Sequence, residues 1–392
     1  MGENKEMNKI EPVKIDLKKK LDKNINLLIN SSPDTTIELE EESIGTPMID
    51  FFEEGKKDID EFDNDAWMTG EGYKLPNYPI VTEKLEGLSS GLYLLAGPSN
   101  AGKSAMMMNM MYDACMNPEN NLFGIYFSLD DSRNEIIPRV VAMDKRIPIS
   151  VVSKPARYKN YIENAEKNEM TDTTDFDKIA KFEEYLLKRQ EGLDNLRNNS
   201  NKFKIEDSNK VSTISEIEEY IQNAQEYVKS IDSKMNLIVA IDAINDIQLG
   251  PGYSAKSNNE RIDIVSKEVK HWTVKYDIPI FSSTHLRKLN GNRRPTLDDL
   301  KESNTLTYEA SVIWLVYNDV STNKNAAKIY YADQESENDI VEKKPIIELD
   351  WAKNKKSSFK GRSFNYFSPE HSKAMECDEN TGKRFSALIY ES

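Results

Sequence analysis

Residues 97–104 read Gly-Pro-Ser-Asn-Ala-Gly-Lys-Ser and fit the spacing GxxxxGK[ST] at every fixed position. A glycine-rich turn of this kind lets the amides of Gly97, Asn100, Ala101 and Gly102 converge on one spot, which attracts phosphate oxygens. Lys103 would neutralise the outer phosphates of a nucleoside triphosphate, and the Ser104 hydroxyl would ligate Mg²⁺. The flanks suit the motif. Gly91–Gly97 is a short apolar and aromatic run, as a buried strand should be, and 103–116 is rich in Met and Ala without Pro or Gly, as a helix should be. The species implied are ATP and Mg²⁺.

Further acids and a histidine follow apolar runs. Leu237-Ile-Val-Ala-Ile-Asp242 reads as a strand ending in a carboxylate, the usual partner of a phosphate loop, where Asp242 would hold a water on the metal. Asp246 competes for that role. Phe127-Ser-Leu-Asp130-Asp131-Ser-Arg133 ends another strand. Asp130 is placed to polarise the water that attacks the γ-phosphate, while Asp131 or Ser132 suits an N-cap of the helix that follows. His285, after Pro279–Thr284, reads either as a donor to the γ-phosphate or as a structural histidine. Two basic stretches have a functional and a bland reading each. Arg293 to Asn304 is a backbone-phosphate contact or a solvated loop, and Lys353, Lys355 and Lys356 are cations reaching a neighbouring molecule or a hairpin turn.

The elements needed to position these groups are legible as a mostly parallel sheet. Strands are expected at 92–96, 123–128, 202–205, 237–241, 278–283, 312–317, 346–350 and 385–390, with helices between many of them. Helices are expected at 133–143 and 260–276, the latter with Ile262, Val265, Val269 and Trp272 on its core face. Residues 155–201 form a charged, helix-prone insertion. Residues 1–79 form a polar, acidic arm expected to be largely disordered. Within it, from Thr46-Pro47, Met48, Ile49, Phe51, Phe52, Ile59 and Phe62 recur near helical spacing, interrupted by Gly55. The arm supplies either a linker helix that docks on a neighbouring copy or a transient one. An acidic, loop-like stretch covers 333–344.

The chain has 392 residues, 38% hydrophobic content and a formal net charge of −15. Such acidity excludes a protein that coats itself with nucleic acid through a uniformly basic surface, though not a few cations inside a ring. Cys115 and Cys377 are too few for a disulfide framework. With no membrane-length apolar run and no signal-peptide core at the N-terminus, no membrane association is expected and the location expected is cytoplasmic, in a bacterial or phage-infected cell.

Taken in order, these elements resemble the ATPase domain of DnaB-type replicative helicases, within the RecA-like superfamily, over about residues 80–370. Leu85-Glu-Gly-Leu-Ser-Ser-Gly-Leu resembles the lead-in to the phosphate loop, and Ser128-Leu-Asp-Asp-Ser-Arg133 resembles Ser-Leu-Glu-Met-Ser-Arg. Arg294-Pro-Thr-Leu-Asp-Asp-Leu-Lys301-Glu302-Ser resembles Arg-Pro-x-x-x-Asp-Leu-Arg-Glu-Ser. The resemblance implies an α/β, RecA-like, mostly parallel sheet with helices on both faces across residues 80–392. It places Asp130 at the catalytic acid and Lys301, Glu302 and Asn304 on the loop that touches single-stranded DNA. His285 falls at the γ-phosphate sensor, a His-Leu in phage primase-helicases, and Lys353 and Lys355 fall on the Lys-x-Arg pair that reaches across a subunit interface. The partners it implies are single-stranded DNA, further copies in a ring, expected to be a hexamer, and a primase or loader.

Asp130 is one methylene shorter than the family's Glu, Lys355 replaces the finger Arg, and Lys301 and Asn304 replace Arg and Gly. Neither the family's folded N-terminal domain nor a primase or zinc module is expected. Two activities fit: an ATP-driven helicase moving on single-stranded DNA in replication, or a RecA-like ring or filament ATPase that remodels a protein partner. A non-hydrolysing nucleotide-binding scaffold is a third reading, argued by Asp130 alone.

Overall fold

The computed structural model describes residues 48–68, 72–167, 173–287, 289, 293–300, 304–332 and 342–390. The chain divides into two units, Met1–Thr69 and Gly70–Ser392. In the first, helix α1 spans Met48–Met68 and runs through Gly55, leaving Ile59 and Phe62 exposed. The expected start at Thr46-Pro47 lies outside the described residues.

The second unit is built on a ten-stranded sheet. Its elements in chain order are α2 (Pro79–Leu85), β1 (Gly91–Gly97), α3 (Lys103–Met116), β2 (Leu122–Ser128), α4 (Arg133–Lys145), α5 (Ile149–Ser153), α6 (Pro155–Lys167), α7 (Thr173–Asn198), β3 (Phe203–Asp207), α8 (Ile214–Ile231), β4 (Asn236–Asp242), α9 (Asn258–Lys275), β5 (Pro279–His285), α10 (Asn304–Glu309), β6 (Val312–Tyr317), α11 (Asp319–Asn323), β7 (Tyr330–Tyr331), β8 (Lys344–Asn354), β9 (Arg362–Ser368), β10 (Lys373–Glu376) and α12 (Glu379–Tyr390). The strands lie in the order β10-β9-β8-β6-β1-β5-β4-β2-β3, with β7 on β8. From β6 to β3 the pairing is parallel, and β8, β9 and β10 add an antiparallel edge. This is the α/β architecture expected.

Alternation along β1 sends Tyr93 and Leu95 to one face and Leu92, Leu94 and Ala96 to the other. On the first face the methionines of α3 pack with Trp314 and Trp351. On the second, α8 and α9 bury Ile217, Ile221, Val265, Val269 and Trp272. The sheet is therefore covered on both sides, which is why its central strands read as continuous apolar runs. The insertion at 155–201 folds as α6 and α7, packed peripherally on α4 and α5 through Tyr158, Tyr185, Leu186 and Leu193.

One expected strand is wrong. Residues 385–390 belong to helix α12, because Phe385 and Ile389, one helical turn apart, both pack on the cluster around Phe364. The rings of Phe364 and Phe385 lie 5.5 Å apart. Asp378 accepts from the Thr381 amide at 3.0 Å and so caps the start of α12. β9 and β10 were not among the expected strands. Most of the acidic stretch at 333–344 lies outside the described residues.

Candidate nucleotide site

The parallel strands end level with one another. Gly97 pairs in register with His285, and Ser128 with both Asp242 and Asp207. Ligands of open parallel sheets bind beyond these carboxyl ends, and the phosphate loop leaves β1 there. Asn100 (φ +63°) and Gly102 (φ +100°) take left-handed conformations. A Cβ on Gly102 would also lie 2.6 Å from Ile347 Cδ1, and one on Gly97 would lie 2.6 Å from the Val316 carbonyl oxygen. Gly97 is thus required by the close approach of the β6 backbone, and Gly102 by its left-handed conformation. Ala101 is buried beneath it.

Gly102 is the N-cap residue of α3, whose first amides have no intrahelical acceptor. Lys103 is buried and donates from Nζ to the carbonyls of Gly97 (3.0 Å) and Pro98 (2.9 Å). Burial pulls its pKa down, and the nearby Asp242 charge opposes that shift. Lys103, Ser104 and Asn100 line a cleft of about 980 Å³, together with Asp131 and Arg139 and, opposite, Ser321, Phe367 and His371.

Asp242 ends β4, buried, and its two carboxylate oxygens are held from different sides. Tyr126 of β2 donates to Oδ2 at 2.8 Å, and Ser283 of β5 donates to Oδ1. Neither hydroxyl was picked out from sequence, since only the cross-strand register brings them to Asp242. The residues after Asp242 are fixed as well. Arg261 donates to the carbonyls of Asn245 (2.8 Å) and Ile247 (2.7 Å), on either side of Asp246, and Thr284 donates to the Asn245 side chain at 2.7 Å. Burial raises the pKa of Asp246, the Ala243 amide opposes this, and the charges of Asp130 and Asp242 add to it while His285 lowers it. Asp130, Asp242 and His285 thus each act electrostatically on Asp246.

The bend after β2 is closed by Ser128 Oγ donating to the Asp131 carbonyl at 2.6 Å. It leaves Asp130 exposed and turns Asp131 into the cleft, where Arg139 Nη1 lies 2.5 Å from its carboxylate. Capping of α4 falls to Ser132, whose amide and hydroxyl both donate to Glu135. Asp130 and His285 are not among the walls of the large cleft. A smaller hollow of about 440 Å³ separates Pro98 and Ser99 from Leu286 and Arg287, directly after His285.

Lys301 and Glu302 lie outside the described residues. Asn304 opens α10, exposed. Upstream, Arg293 forks onto Asp299 at 2.5 and 2.8 Å, and this pairing holds the Asp299 carboxyl down to about 2. Arg294 turns inward to Glu348 at 2.7 Å. Both arginines are thus engaged within the chain. Lys353 and Lys355 project from the end of β8 onto the last carbonyls of α10, the first half-buried and the second exposed. Among the described residues no cluster of three or more His, Cys, Asp and Glu is arranged to hold a metal ion. Nor is any described helix long and apolar enough to cross a membrane.

Two solved structures share this fold. One, described as an ATPase domain, is 18% identical, with 83% of this chain and 98% of that chain covered and a TM-score of 0.57. The other, described as a DnaB-like replicative helicase and its interactions with primase, is 17% identical, with 92% of this chain and 72% of that chain covered and a TM-score of 0.57. No curated protein matches the chain in sequence. The family model of the DnaB-like helicase C-terminal domain matches residues 77–356, which is most of the second unit. The chain belongs to the DnaB-like helicase C-terminal domain family.

Proposed function

We propose that the chain is an ATP-driven DNA helicase that moves on single-stranded DNA as a ring of copies, a hexamer, in the cytoplasm of a bacterial or phage-infected cell. A primase or a loader is its expected protein partner. The observation that carries this reading is the placing of buried Lys103 and the doubly held Asp242 at level strand ends beside a phosphate loop.

In this reading the loop amides from Gly97 to Ser104 and the Lys103 ammonium hold the β- and γ-phosphates. Ser104 Oγ and Asp242, the latter through water, would hold Mg²⁺, which when bound neutralises charge on the phosphates. Asp130 takes a proton from the attacking water as its oxygen bonds to the γ-phosphorus. The bond to the β–γ bridging oxygen breaks, and ADP and inorganic phosphate result. His285 donates to the γ-phosphate, and the Lys353–Lys355 pair of one copy faces the nucleotide of the next. Lys301, Glu302 and Asn304 grip the DNA backbone.

Engagement of Arg293 and Arg294 within the chain favours a second reading, a ring or filament ATPase that remodels a protein. ATP turnover with and without single-stranded DNA separates the two, with Lys103→Ala as the blank. Strong stimulation by DNA, lost in the blank, supports the helicase. Turnover indifferent to DNA supports the remodelling ATPase.

A further inference from the structure

α10 ends at Glu309, and the Ala310 amide continues its bonding by donating to the Leu306 carbonyl at 3.1 Å. The carbonyls of Thr307 and Tyr308 fall in the last turn, where helices lack intrahelical donors. Lys353 Nζ donates to both, at 2.9 Å to Tyr308, and Lys355 Nζ donates to Tyr308 at 3.1 Å. Both lysines reach the same end because Lys353 lies one residue before the end of β8 and Lys355 stands in the turn directly after it. The register against β6 also slips between Ile313 and Trp314, where Ile313 faces Lys353 and Trp314 faces Trp351. The Lys355 amide anchors the turn by donating to the Ser311 carbonyl at 2.9 Å.

The two ammonium groups are not equivalent. Lys353 is half-buried and spans two carbonyls, whereas Lys355 is exposed and touches one. Moving Lys355 into water or onto another anion gives up one solvent-facing contact. Moving Lys353 leaves the Thr307 carbonyl without its donor and Tyr308 with Lys355 alone, at the end where the helix dipole favours a cation. We propose that the pair facing the neighbouring nucleotide divides its work: Lys353 is a positioning residue that fixes the C-terminal end of α10, the helix that opens at Asn304, while Lys355 alone of the two leaves Tyr308 for a phosphate group of the nucleotide bound to a neighbouring copy. This inference rests on the function proposed above. It makes α10, which opens at the proposed DNA contact Asn304 and ends on the two lysines, the element that couples the two roles within one copy.

The test uses the full chain and Lys353→Met, Lys353→Arg and Lys355→Met. Two quantities are read: the ratio of ATP turnover with and without single-stranded DNA, and amide hydrogen exchange over residues 305–310 in the absence of nucleotide. Lys353→Met is expected to lower the ratio and speed exchange, each about fivefold. Lys353→Arg restores both, because a guanidinium also spans two carbonyls. Lys355→Met lowers turnover with and without DNA together, so the ratio stays within about twofold and exchange in α10 is that of the parent chain. A Lys353→Met protein that loses both turnovers in step, with α10 exchange unchanged, makes Lys353 a second finger and overturns the division. If the parent chain ignores DNA, the proposed function fails by itself. Exchange in Lys353→Met then still decides the point, faster exchange keeping the positioning role and unchanged exchange removing it.

Discussion

The Tyr126 hydroxyl donates to Asp242 Oδ2 at 2.8 Å, from two residues before the end of β2 to the last residue of β4. Burial raises the tyrosine pKa well above its ordinary value and the Asp242 charge adds to this, so the hydroxyl stays a neutral donor throughout the working pH range. With Ser283 on the other oxygen, the carboxylate is oriented from both neighbouring strands. Tyr126→Phe keeps the buried ring and removes this orientation. The Mg²⁺ concentration giving half-maximal ATP turnover should rise about tenfold, while stability falls by only about 1 kcal/mol. A metal titration of turnover measures the first and chemical denaturation the second. An unchanged Mg²⁺ requirement would put Asp242 outside the metal's reach.

Gly102 combines φ +100° with a 2.6 Å approach of any Cβ to Ile347 Cδ1. The isoleucine tip can rotate away, but the backbone conformation remains costly to an L side chain. Gly102→Ala should lower stability by about 1–2 kcal/mol and weaken nucleotide binding about tenfold, since the same backbone aims the loop amides. Fluorescence titration with a labelled nucleotide reads the binding. Unimpaired binding would mean that the loop is not shaped by this residue.

Burial, and then the charge of Lys355, push the Lys353 pKa down to about 8, with Lys270 acting in the same direction and Glu309 against it. Below that pH the group is an ammonium that donates to Thr307 and Tyr308, and above it an amine that holds them weakly. The DNA-stimulated share of turnover should therefore fall as pH rises through about 8. In Lys353→Arg, which stays charged, it should hold level. Parallel pH profiles of the two proteins supply the check, and equal slopes would detach Lys353 from the DNA response.

Glu376 accepts from the Ile80 and Val81 amides at 2.6 and 3.2 Å and thereby ties the start of α2 to β10. Burial nevertheless raises its pKa from 4.5 to about 7. The folded chain then keeps a proton that the unfolded chain releases, so this group's contribution to stability is fully present below about 4.5 and is lost as pH climbs through about 7. The difference in stability between the parent and Glu376→Gln should shrink by about 2 kcal/mol from pH 5 to pH 8, because the amide does not titrate. Melting curves at the two pH values measure it, and a difference that grows with pH would reverse the sign.

The phosphate loop and the strands around it were legible because their chemistry is local: fixed spacing in residues 97–104, and unbroken apolar runs in strands covered on both faces. What was not legible depends on partners distant in sequence. Phe385–Tyr390 is too short to separate a two-residue period from a helical one, and Phe364 decides for the helix. Asp130 and Asp131 are adjacent carboxylates, and only the bend closed by Ser128 determines which enters the cleft. Arg294 reads as a loop cation until β8 brings Glu348 to it. Tyr126 and Ser283 carry no local signal, because strand register alone aims them at Asp242.

Strand separation tests the central claim most directly. A forked DNA duplex with one labelled strand is incubated with ATP, Mg²⁺ and either the parent chain or Lys103→Ala. The account predicts release of the labelled strand by the parent chain, and none by Lys103→Ala or with a non-hydrolysable ATP analogue. Steady ATP turnover that neither responds to the fork nor separates it would contradict the account.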